Sequence, residues 1–108
     1  MPVSSELLTI NELKNIERMA DYCKELPTNS RIVCEIFVDD IEKTIKMVEY
    51  GRIKDALLYI QEANRMFTRL FEVYKKEMDD KTYKELRDLS DDLLKTANKA
   101  ILSKIKGD

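Results

Sequence analysis

The sequence predicts an all-α single domain over residues 1–108, an up-down-up-down four-helix bundle with a long third helix. Three observations carry that expectation. Only two glycines and two prolines interrupt 108 residues, too few to turn the many short strands of a β fold. Apolar residues recur at three- and four-residue steps through four segments, which is the spacing of one helix face. The breaks between those segments, at 27–30, near 51 and at 79–81, are short, and short connections make consecutive helices antiparallel neighbours. A hydrophobic fraction of 44% is also too high for a disordered chain.

The first helix, about 9–26, opens on Thr9 with Glu12 three residues later, a capping box, and Leu8 is placed to staple onto Leu13. Its apolar face runs Leu13, Ile16, Ala20 and Cys23, and Pro27 ends it by disfavouring the α conformation at Leu26. The second helix, about 30–50, starts from Thr28, Asn29 or Ser30 as N-cap. Its composition over 31–38 suits a strand. The periodicity of Ile32, Val33, Ile36, Phe37, Ile41, Ile45 and Val48 decides for helix, and Gly51 supplies the left-handed residue that finishes it.

The third helix, about 52–78, carries two apolar seams. One runs Ile53, Leu57, Ile60, Asn64, Phe67, Phe71, Tyr74 and Met78; the other Ala56, Tyr59, Ala63, Met66, Leu70 and Val73. So wide an apolar surface is expected at the centre of a domain. The fourth helix, about 82–105, opens on a second capping box, Thr82 with Glu85. Leu86, Leu89, Leu93, Ala97, Ala100 and Lys104 mark its inner face, and its late lysines suit the negative end of the helix dipole.

Composition removes several functions. There is no histidine, so there is no Ser-His-Asp triad, no imidazole base and no His-ligated zinc or haem. Nineteen basic against 21 acidic residues, a net charge of −2, give no global attraction to nucleic acid. The N-terminus lacks the basic and apolar regions of a signal peptide, and no apolar run approaches the roughly 18–20 residues that span a bilayer. The expected location is the cytoplasm. Dense charge of both signs, a single glutamine and no histidine fit a thermophilic source.

Four residue groups invite chemistry. Glu85, Asp88 and Asp92 lie at i, i+3 and i+7 on one helix face, the oxygen-ligand set that a magnesium-dependent phosphohydrolase of the all-α type would use. Glu85-Leu-Arg-Asp88 matches the E-x-x-D fragment of all-α nucleotide pyrophosphatases, but no E-E-x-x-E run precedes it. Exposed helix charges with Lys84, Arg87 and Lys95 as partners account for the cluster equally well. Arg65, Arg69, Lys75 and Lys76 suggest RNA contact by a nucleic-acid accessory subunit, yet the nearby aromatics Tyr59 and Phe67 fall on the apolar seams. The tail Lys95–Lys106, with Ile101, Leu102 and Ile105, suggests a weak membrane-surface or partner-binding helix, though helix-end lysines and core packing account for it too. Finally, Cys23 and Cys34 sit nearly equidistant from the first turn. In a chain without a signal peptide they read first as buried thiols in a reducing cytosol, with a disulfide across an antiparallel hairpin as the alternative.

Gly51-Arg-Ile-Lys-Asp-Ala56-Leu57 resembles the G-x-x-x-x-A-L run of tetratricopeptide helices and is loosely similar to small HEPN-type helical domains. No second copy recurs 34 residues on, as the repeat requires, and the HEPN R-x4-6-H nuclease motif cannot exist without histidine. The leading expectation is a non-enzymatic protein–protein interaction or assembly module without a cofactor, a homo-oligomer or accessory subunit. A third helix of about 40 Å against a second of about 31 Å should protrude. Its end would present Tyr74, Met78, Tyr83 and Leu86 to a partner.

Overall fold

The computed structural model describes residues 8–106, and all of its regular structure is helical. Helix α1 spans Ile10–Lys24, α2 Thr28–Glu49, α3 Ile53–Thr68 and α4 Asp80–Lys106. Between α3 and α4 lie a π turn, Arg69–Val73, and a 3₁₀ turn, Lys75–Glu77. Helix α2 packs on α1, α3 and α4, and α4 also touches α1 and α3. The order of paired residues sets the directions. Lys43 lies over Tyr59 and Phe37 against Phe67, so α2 and α3 are antiparallel. Glu12 meets Lys99 and Tyr22 meets Glu85, so α1 and α4 are antiparallel too.

Local signals explain most helix ends. The Thr9 hydroxyl accepts from the Glu12 N–H at 3.1 Å while Glu12 accepts from the Thr9 N–H at 2.9 Å, the expected capping box. Gly51 adopts φ +76°, a conformation that costs glycine nothing and closes α2 without strain. Helix α4 corrects the expected cap. Asp79, not Thr82, caps it, with Asp79 Oδ1 accepting from the Thr82 N–H at 2.7 Å. This hydrogen bond holds the Asp79 carboxyl below its ordinary range. Asp79→Ala should therefore lower the thermal or urea midpoint, whereas Thr82→Ala, which leaves that hydrogen bond in place, should lower it less.

Helix α2 begins two residues earlier than expected and has no side-chain cap of its own. Its orphan donor at Ser30 N–H is met from afar by Glu77 Oε1 at 3.3 Å, an acid placed at the positive end of the helix dipole. The 3₁₀ turn carrying Glu77 is thereby docked on the start of α2.

That docking goes with the largest departure from expectation. The third helix does not run from 52 to 78: it ends at Thr68, widens into the π turn, and turns at Tyr74. The long helix is α4, with 27 residues against 16 for α3. A stripe of apolar residues records only that side chains return to one core, and a π turn followed by a 3₁₀ turn returns them as well as a continuous helix does. Phe71 and Tyr83 meet edge-on at 5.6 Å between centroids as a result.

The core gathers Met19, Cys23, Cys34, Phe37, Ile41, Ile45, Leu70, Leu86 and Leu93, all inaccessible to solvent. Four stripe positions are corrected outward. Ile32, Ile36, Leu57 and Asn64 are exposed, as is Val73 of the flanking seam, while Lys104 also faces solvent. In α2 the buried face is instead Val33, Cys34, Phe37, Val38, Asp40, Ile41, Thr44, Ile45 and Val48, rotated away from Ile32 and Ile36. Alternation of aliphatics cannot reveal that rotation, because apolar residues occupy both rims of the stripe.

Candidate functional site

The predicted protruding end does not form. Leu86 is inaccessible, and Tyr74, Met78 and Tyr83 are half-buried against the core. Tyr83 is held on several sides: its ring meets Phe71, its hydroxyl accepts from Arg87 Nη1 at 2.8 Å, and Lys75 Nζ lies 5.4 Å from its centroid. Arg87 also stacks over Phe67, itself packed on Phe71. These contacts hold the Tyr83 ring against the core instead of projecting it from a helix end.

The acidic triplet of α4 is spread along the surface. Glu85, Asp88 and Asp92 are exposed. Glu85 Oε1 accepts from the Tyr22 hydroxyl at 2.5 Å, a bond that raises the Tyr22 phenol above its ordinary value. Among the described residues, no group of three or more cysteine or acidic side chains is placed to hold a metal ion. The basic residues Arg65, Arg69, Lys75 and Lys76 are exposed. Arg65 and Arg69 line a shallow groove of about 410 Å³ with Asn64, Thr68 and Val73. Of the two aromatic neighbours, Tyr59 is half-buried with Lys43 5.6 Å from its ring centroid, and Phe67 lies between Phe37 and Phe71.

Cys23 of α1 and Cys34 of α2 are disulfide-bonded, with 5.4 Å between their Cα atoms and neither residue accessible. Both project into the core from the hairpin closed by Pro27. The bond staples the two helices at the end where Glu77 docks.

Glu12 illustrates how a helix cap doubles as a tertiary contact. Its Oε2 accepts from Lys99 Nζ at 2.8 Å and from Thr96 Oγ1 at 3.5 Å. Burial would raise this carboxyl, but the Lys99 ammonium and the Thr9 N–H outweigh it and bring it below its ordinary range.

The most unusual electrostatic feature is at the α2–α3 seam. Asp40 is 2% exposed, and its Oδ2 has no hydrogen-bond donor among the described residues. Its carboxyl lies against that of Glu62 on α3; burial foremost, then Glu62, pushes it up to about 7. In the sequence Asp40 stands out only as the neighbour of Asp39. Helical phase carried the signal, since Phe37, Asp40, Ile41 and Thr44 share one face.

The exposed apolar surface lies elsewhere. Pairing of Glu12 with Lys99 and of Lys43 with Tyr59 sets the heights of the helices. Ile10, Tyr50, Leu57, Leu58, Leu102 and Ile105, all exposed, thus gather toward the end carrying the Tyr50–Arg52 turn. Ile10, Leu58 and Tyr50 are 71%, 63% and 65% accessible. Compared with known proteins, the chain matches no family model, no curated protein and no solved structure. No helix of the described residues is long and apolar enough to cross a membrane.

Proposed function

We propose that the chain is a non-enzymatic interaction and assembly module, an up-down-up-down four-helix bundle that pairs with a second copy of itself. The docking surface is the end around Ile10, Tyr50, Leu58, Leu102 and Ile105. The observation that supports this reading is that six large apolar side chains are each exposed on the helix ends that meet there. An end of that composition favours association over solvation. A net charge of only −2 puts little electrostatic repulsion between like copies. Glu85, Asp88 and Asp92, and the basic Arg65, Arg69, Lys75 and Lys76, lie exposed on outer faces.

Light scattering coupled to size exclusion tests the proposal. The parent chain should run above monomer mass at micromolar concentration. The double variant Leu58→Lys/Leu102→Lys should weaken self-association about tenfold or more, and Val73→Lys, an exposed position at the opposite end, should leave the mass unchanged. A parent that stays monomeric at high micromolar concentration would refute the reading.

A further inference from the structure

We propose that Asp40 and Glu62 form a proton-operated latch between α2 and α3, closed by one proton shared between their carboxyl groups and loosened when both ionise. The geometry leaves little alternative for Asp40. It sits on the inner face of α2 between Phe37 and Thr44, nearly inaccessible, with no donor for Oδ2 among the described residues. The Thr44 hydroxyl, one turn on along the same helix, is spent on the Asp40 backbone carbonyl at 2.7 Å. The facing side chain from α3 is Glu62, another acid.

Charges on its own helix do not rescue the pair. Asp39 adds a like charge, and Lys43 is engaged at 3.0 Å by Asp39. Two carboxyl groups side by side in a low-dielectric seam cannot both ionise cheaply, whereas a carboxyl donating to a carboxylate satisfies both. The raised proton affinity of Asp40, to about 7, agrees with this arrangement. An unfolded Asp loses its proton near pH 4. Between there and about pH 7 the folded chain therefore binds more protons than the unfolded one, and folding stability falls as pH rises. The latch is closed on the acid side of neutrality and strained on the alkaline side.

Loosening acts on α3 first, because its longest seam is the one with α2. Glu62 also lines a shallow groove with Asp55, Tyr59 and Arg65, so water meets the pair from the Glu62 side.

Asp40→Asn tests the latch, since an amide can donate to Glu62 at every pH. Melting temperatures of the parent and the variant should differ little at pH 5. At pH 8.5 the variant should melt higher, widening the gap by about 5 °C or more, the size of a tenfold change in the unfolding constant for a domain of this length. Glu62→Gln, at a less buried position, should show the same widening and covers the case in which the Asp40 variant fails to fold. Pairs of melting curves that keep a constant gap from pH 5 to pH 8.5 in both variants would overturn the proposal.

Discussion

Reducing the Cys23–Cys34 bond should lower the melting temperature of this protein by about 10–20 °C. The two residues are separated by 11 positions, and closing a loop of that length removes enough unfolded-chain entropy to stabilise the fold by about 3 kcal/mol. Both cysteines are inaccessible, so reductant should act slowly on the folded chain and quickly on the unfolded one. The check is a pair of melting curves, with and without reductant applied during unfolding, accompanied by thiol titration. Unreduced, unfolded chain should release no free thiol and reduced chain two. The double variant Cys23→Ala/Cys34→Ala should melt near the reduced parent; if it matches the oxidised parent instead, the bond contributes nothing to stability.

Phe37→Ala should cost about 3–5 kcal/mol, whereas Ile36→Ala, one residue away, should cost less than about 1 kcal/mol. Phe37 is inaccessible and lies 6.4 Å from the Phe67 ring. Its removal empties the junction of α2 with the end of α3, where Phe67 and Phe71 continue the aromatic contact toward Tyr83. Ile36 is 38% exposed and leaves no comparable cavity. Urea denaturation of the two variants measures this contrast directly. Equal losses would mean that α2 is rotated from the phase described.

Some of this architecture was legible without coordinates. The Thr9–Glu12 box, the stop at Pro27 and the left-handed Gly51 were each readable, because each depends on residues within four positions of one another. The same holds for the helical character of residues 31–38, where composition argued for a strand and spacing argued against it. The Cys23–Cys34 approach followed from symmetry about a short turn, a geometry that needs only the hairpin.

The candidate site was not legible in the same way. The segment from Arg69 to Met78 contains no glycine or proline, so nothing local announces that the helix opens there. The acid that completes the start of α2, Glu77, comes from 47 residues away. Asp40 looks like half of an exposed acidic pair until α3 brings Glu62 against it. The apolar residues that end up exposed, Ile10, Leu58 and Leu102 among them, are chemically the same as those that end up buried.

Periodicity, caps and breakers thus settle which residues become helix and roughly where each helix begins, because those preferences act over a single turn. Which rim of a stripe faces inward, where α3 stops, and which acid meets which other acid are decided when the helices pack. Those outcomes depend on competition among distant side chains for one limited volume and for a few unpaired backbone groups. The surface left over from that competition, rather than any motif in the chain, is where the proposed function resides.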